Sequence, residues 1–208
     1  MARLIAIVGA SGVGKTTLMR ALNNADDFAA AYERHDERPF QSLFAGSAPG
    51  TDKQDTRYAL ANQLDYLLLR AEQEKSLRAS PHIALTDGGL DLDFHGFTRL
   101  FHARGFLNYA EFDLCRRFYS LTRELLPPPD LVIALSAPEE TVRQRLASRN
   151  RINIASVEDT ALFNFFVDEW LTTIPAPRIL RLDVTNEDIH YTQSVSRIMA
   201  RLKGNWSG

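Results

Sequence analysis

Short uninterrupted apolar runs recur along the chain, separated by longer stretches in which apolar positions return every third or fourth residue. The first run, Leu4-Ile5-Ala6-Ile7-Val8, has three β-branched residues and no polar one, the pattern of a strand buried on both faces. Residues 28–33, 82–87 and 130–135 read as further strands, and 179–184 alternates as a last one. Between them the spacing predicts helices over 15–22, 41–44, 55–79, 91–104, 109–126, 138–149, 156–170 and 187–202. In the longest, Leu60, Leu64, Leu67, Leu68 and Ala71 make one apolar stripe. Pro49-Gly50, Pro81, Gly105, Pro127-Pro128-Pro129 and Pro175 punctuate the pattern, Ser156 to Asp159 is a candidate capping box, and 204–208 reads as a frayed tail. Strands that alternate with helices argue an α/β fold, about five parallel strands flanked by helices on both faces. Ligands then bind at the carboxyl ends of the strands. No repeat or linker interrupts the pattern, so 1–208 reads as a single domain.

The stretch that follows the first run adds chemistry. Gly9, Ala10, Ser11, Gly12, Val13, Gly14, Lys15 and Thr16 fit the G-x-x-x-x-G-K-[ST] phosphate loop at every fixed position, and Thr17 continues into a helix. Glycines let the backbone wrap so that successive N–H groups converge on phosphate oxygens, and the helix dipole faces the same anion. Lys15 would reach the β- and γ-phosphates of a nucleoside triphosphate, and the Thr16 hydroxyl would ligate Mg2+. Asp87 ends the 82–87 strand and is the expected second magnesium residue, with a helix N-cap as its plainer alternative.

Composition narrows the class. With 45% hydrophobic and 24% charged residues the chain is ordinary for a soluble globular protein, and a net charge of -2 gives no basic field for nucleic acid. No apolar run approaches the ~18 residues of a membrane span, and no cleavage-site pattern follows the first run. A lone cysteine, Cys115, among apolar residues reads as core and excludes an internal disulfide. These features suit a cytoplasmic protein. A guanine-reading N-K-x-D is missing, and Asp87 is followed by Gly88-Gly89-Leu90 where a GTPase has its D-x-x-G switch. A compact phosphate-loop domain with arginines clustered in its second half suits a small-molecule kinase.

Four features in order extend that reading. Glu33 ends the second strand, with Arg38-Pro39-Phe40 after it. Gln63 has Tyr66 one helical turn on and Arg70 two turns on. Pro128-Pro129-Asp130-Leu131-Val132-Ile133-Ala134-Leu135 leads on to Arg145, Arg149 and Arg151, where 145 and 149 share a helix face. From the phosphate loop to the last helix, this set resembles the deoxynucleoside kinase family. The resemblance implies the three-layer phosphate-loop kinase fold, ATP with Mg2+, a nucleoside-like second substrate and a possible homodimer through the long helices. It makes Glu33 the catalytic base, Gln63 the residue that pairs with the nucleobase edge, and the arginines of a short lid at about 145–156 the groups that embrace the triphosphate. Tyr66 and Arg70 join Gln63 as substrate contacts. The chain departs from the family pattern where Asp87-Gly88-Gly89 replaces Glu-Arg-Ser or Asp-Arg-Thr, where Asn153-Ile154 stand in place of a sugar-gripping glutamate, and where Arg34 rather than proline follows Glu33.

The expected reaction is transfer of the γ-phosphoryl of ATP to the 5'-hydroxyl of a (deoxy)nucleoside. A nucleoside-monophosphate kinase, a kinase of another small hydroxyl substrate, and an inactive nucleotide-binding regulator are the alternatives that the altered acceptor side leaves open. Phe94, Phe97, Phe101 and Phe106 could wall a base, although an aromatic stripe at this spacing is more often core.

Overall fold

In the computed structural model of the chain, residues 1–32, 38–44, 56–147 and 157–205 are described. Glu33, Arg149, Arg151, most of the expected lid, Ser156 and the last residues of the tail lie outside them. Five strands form: β1 (Leu4–Val8), β2 (Ala29–Ala31), β3 (Ala84–Asp87), β4 (Leu131–Ser136) and β5 (Ile179–Asp183). All pairings are parallel, in the order β2-β3-β1-β4-β5. Such a sheet needs a crossover between consecutive strands, which is why helical stretches separate its apolar runs in sequence.

The pleat of β1 sorts the core. Ile5 and Ile7 face α1 (Lys15–Ala25) and α9 (Thr192–Asn205), where Leu18, Met19, Leu22 and Ile198 close over them. Ala6 and Val8 face the other way, towards Phe163, Val167, Trp170 and Leu171 of α8 (Val157–Thr172). Three layers result, as expected. A further cluster joins Phe44 of α2 (Pro39–Phe44), Leu67 of α3 (Ala59–Arg78) and Cys115 of α6 (Tyr109–Leu125) with Leu90, Phe94 and Phe101. The aromatic stripe is therefore largely core, Phe101 packing at a tilt against Phe44 with centroids 5.0 Å apart, and Cys115 is fully buried.

Three elements differ from the sequence reading. The segment after β3 is not one regular helix. α4 (Gly89–Leu92) passes through a π-helical stretch, Asp93–Thr98, into α5 (Arg99–Ala103), and the wider turn carries a carbonyl that side chains then use. The last helix begins at Thr192 rather than 187. An Asp188 turn and the left-handed Tyr191 (φ 52°) precede it, and Glu187 accepts from the Ser194 N–H at 2.8 Å. On α3 the apolar stripe is not the most deeply buried face. Leu68 is 48% exposed, whereas Asn62, Gln63, Tyr66, Arg70, Glu74 and Arg78 are buried. α7 (Glu139–Ala147) starts as expected after Pro138, and α6 opens with a capping box between Asn108 and Glu111.

Candidate active site

The phosphate loop takes its shape from close approach. Gly9 (φ 141°) passes so near β4 that a Cβ there would stand 2.7 Å from the Leu135 carbonyl oxygen. Gly14 (φ 114°) caps α1, and a Cβ on it would fall 1.9 Å from the Tyr191 hydroxyl. Only glycine fits either position. Lys15 Nζ donates to the carbonyls of Gly9 (3.0 Å) and Ala10 (3.1 Å), so its ammonium spans the mouth of the loop. Ser11, Gly12 and Val13 complete the turn, with the Val13 N–H donating to the Ala10 carbonyl at 3.2 Å, and Thr17 lies in the first turn of α1.

Sheet register sets the acidic partner. Ile7 of β1 pairs with Asp87 of β3, and the next N–H, of Gly88, donates to Ile7 at 2.8 Å. Asp87 is thereby carried to the start of α1, where the Thr16 hydroxyl donates to its Oδ2 at 2.6 Å. It is 2% exposed. A hydroxyl and a single carboxylate suit Mg2+, which keeps most of its shell as water and phosphate oxygen. Among the described residues no cluster of three or more His, Cys, Asp or Glu could hold a metal on its own. Asp87 is not an N-cap: the helix after it begins from Gly88, with no side-chain capping bond.

The three expected acceptor residues share the buried face of α3. Gln63 Nε2 donates to the Asp93 carbonyl (3.2 Å) and the Thr98 hydroxyl (2.8 Å), both in the π-helical stretch. The Tyr66 hydroxyl donates to Gln41 Oε1 of α2 at 2.6 Å. Arg70 Nε pairs with Asp93 Oδ2 at 2.6 Å, and its Nη1 donates to Gln73, which in turn donates to the Tyr32 carbonyl just after β2. The face thus points at the carboxyl ends of β2 and β3. Beside it, Asn62 Oδ1 is buried with no hydrogen-bond partner. Sequence reasoning missed Asp93. Its signal is a carboxylate inside the apolar stretch Leu90 to Phe94, since a charge is buried there only with a partner.

Arg145 is placed differently from a free lid arginine. Its Nη1 donates to the Val13 carbonyl (2.8 Å) and its Nη2 to the Val184 carbonyl (2.9 Å), fastening the phosphate loop to the end of β5. A cleft of about 380 Å3 opens on that side, between Gly9, Ala10, the end of β4, α7 and α8; none of the acceptor residues lines it.

Further along the buried face of α3 lies a second polar network, also missed. Arg123 of α6 pairs with Asp91 (2.9 and 3.0 Å) and Glu74 (3.0 Å twice), and Arg78 adds a bond to Glu74. The Tyr119 hydroxyl donates to Asp91 at 2.8 Å and lies 3.1 Å from His95 Nε2. His95 stacks on Trp170, and burial there pushes its imidazole down to about 4. Burial next to Asp91 pushes the Tyr119 phenol upward.

Phosphate loop, buried aspartate and polar helix face thus converge on one set of strand ends. A profile of the deoxynucleoside kinase family matches residues 5–204. The chain belongs to the deoxynucleoside kinase family. It is similar to the deoxyguanosine kinase of Bacillus subtilis (strain 168), 23% identical over 97% of each chain. Its fold is that of the deoxyadenosine kinase from M. mycoides. The structure of that enzyme with bound dCTP has a TM-score of 0.76 at 20% identity over 96% of this chain and 98% of that one. The structure with bound dATP has a TM-score of 0.75 at 19% identity over 97% and 100%. The kinase departs from its family pattern after β3, and Gly88 gives the reason. Its backbone (φ 80°, ψ -75°) is one that side chains rarely adopt, so an arginine does not fit this turn.

Proposed function

We propose that the kinase transfers the γ-phosphoryl of ATP to the 5'-hydroxyl of a deoxynucleoside. Lys15 and the loop amides hold the β- and γ-phosphates. Thr16 and Asp87 hold Mg2+, which supplies charge neutralisation on the phosphate oxygens when bound. Glu33, next in sequence to Tyr32 at the end of β2, takes the hydroxyl proton. Gln63, Tyr66 and Arg70 face the acceptor, and Arg149 and Arg151 close over the triphosphate. Positioning and charge do most of the work in this chemistry, because phosphoryl transfer asks little covalent participation of the protein.

One observation supports the reading above others: the Thr16 hydroxyl donates to Asp87 at 2.6 Å beside the phosphate loop, a hydroxyl–carboxylate pair of the kind that suits Mg2+. Leu68 together with Leu114, Leu121 and Leu125 of α6 leaves an apolar surface on the long helices, and we assign it to a cytoplasmic homodimer. The experiment is ADP release from ATP and Mg2+ against a panel of deoxynucleosides, ribonucleosides and their monophosphates. Release with one deoxynucleoside, lost in Glu33→Gln while ATP still binds, is the expected result. ATP binding without acceptor-dependent release refutes the assignment, and release with a monophosphate alone moves the acceptor to that class.

A further inference from the structure

We propose that Thr98 is a positioning residue for the choice of acceptor. It fixes which way the Gln63 amide faces, and so which order of donors and acceptors a nucleobase edge must present. The proposal rests on the kinase reading above, in which Gln63 faces the acceptor.

The groups involved form a closed, buried set. Gln63 is 2% exposed and Thr98 is fully buried. The Thr98 hydroxyl donates to the main-chain carbonyl of Asp93 at 3.0 Å, five residues back across the π-helical turn. In an α-helix a threonine reaches three or four residues back in this way, so the longer reach belongs to the wider turn. A hydroxyl has one hydrogen, and this bond uses it. Towards Gln63, Thr98 Oγ1 is therefore an acceptor, and Gln63 Nε2 donates to it at 2.8 Å. The Asp93 carbonyl is an acceptor too, 3.2 Å from the same nitrogen.

The two ends of a carboxamide are alike in shape and opposite in chemistry. Turned over, Gln63 would set its own oxygen against two acceptors with no hydrogen between them, inside a site closed to water. The π-helical turn thus holds Nε2 inward and leaves Oε1 as the end of the amide that it does not bind. Replacing an amino group of a base by an oxo group reverses the order of donor and acceptor along its edge with little change of shape. Deoxycytidine and deoxyuridine differ in this way, as do deoxyadenosine and deoxyinosine. An amide free to turn over meets both members of such a pair, whereas one held by Thr98 meets a single member. A residue that only packs makes no such distinction.

The test uses the whole chain with ATP and Mg2+. ADP release gives kcat/KM for both members of each pair in the wild type and in Thr98→Val, Thr98→Ala and Thr98→Ser. In the better pair the wild type favours one member by about a hundredfold or more. Thr98→Val keeps the shape without the hydroxyl and lowers that ratio by about tenfold or more, while Thr98→Ser keeps most of it. Thr98→Ala gives the same reading if the valine variant does not fold. A ratio unchanged in the valine and alanine variants, or an equal fall in kcat/KM for both members, overturns the proposal. NMR spectra of the side-chain amides examine the orientation with no substrate, the Gln63 signals being assigned by their loss in Gln63→Ala. These hydrogens exchange with solvent about tenfold or more faster in Thr98→Val than in the wild type. If no nucleoside drives ADP release, the acceptor assignment falls and the amide comparison decides on Thr98, with equal exchange in the two proteins overturning its role.

Discussion

Arg123 offers the sharpest test of how the buried polar face of α3 is held. Its guanidinium is 12% exposed and makes four bonds of 2.9 to 3.0 Å to two carboxylates that are themselves 6% and 4% exposed. In Arg123→Met, Glu74 keeps Arg78 at 3.1 Å, but Asp91 keeps only the Tyr119 hydroxyl among the partners described here. The loss is therefore chiefly that of one buried, uncompensated carboxylate, about 3–5 kcal/mol. Against a total stability of about 5–15 kcal/mol this is a large fraction. For a chain of this size it corresponds to a fall of roughly 6–20 °C in Tm. Urea unfolding followed by circular dichroism reads it as a lower midpoint with an unchanged m-value. Arg123→Met/Asp91→Asn should recover at least half, because the neutral amide no longer needs a counter-ion. A loss below about 1 kcal/mol, or no recovery in the double variant, would show that the network is solvated and that this reasoning fails.

Three further outcomes follow from other sites. His95 is buried as the neutral imidazole, lowered from about 6.5 to about 4, so the unfolded chain takes up this proton first as pH falls. Its stabilising contribution is complete above pH 6.5 and is lost as pH falls through 4, on the order of 3 kcal/mol in all. His95→Asn should flatten the wild-type slope of stability between pH 6.5 and 4, and an identical slope in the two proteins argues against it. Cys115 is fully buried with its thiol pushed up to about 11, chiefly by burial, so a thiol reagent at pH 8 should label it only as fast as the protein unfolds. Labelling in seconds in native buffer contradicts that. Leu121→Asp/Leu125→Asp, at positions 57% and 71% exposed, should convert a dimer to a folded monomer on size-exclusion chromatography with light scattering, and an unchanged mass removes this face from the interface.

The sheet was legible because its signals are local. β1, β3 and β4 are runs that a strand covered on both faces explains, β5 alternates between apolar and charged positions, and the Gly9–Thr16 spacing admits one loop shape. α3 was harder for a physical reason. Apolar periodicity finds the buried face of a helix only where the other face meets water. Here the face carrying Gln63, Arg70, Glu74 and Arg78 is buried by ion pairs and amides, while Leu68 on the stripe is half exposed. Asp91 and Asp93 belong to the same case. Their partners come from α6 and α3, tens of residues away, and nothing in the neighbouring sequence announces them. Arg145 was found by type but not by position, since its acceptors are main-chain carbonyls that carry no sequence signature. The π-helical turn at Asp93–Thr98 has no local mark either. Its wider turn is visible only through Gln63 and Thr98, which both donate to the Asp93 carbonyl.

The approach of Tyr191 to Gly14 bears on the order in which the protein becomes competent. Residues nearly the whole chain apart meet at the first turn of α1, and Arg145 adds a tie from Val184 to Val13 across a similar separation. During synthesis the loop sequence leaves the ribosome well before β5 and the turn into α9, whose surfaces shape it. Such contacts carry a high loop-closure cost and form late. Nascent chains that end before Tyr191 would carry the whole phosphate-loop sequence without its support. Nucleotide affinity would then arise only once Val184 and Tyr191 have been synthesised and have docked.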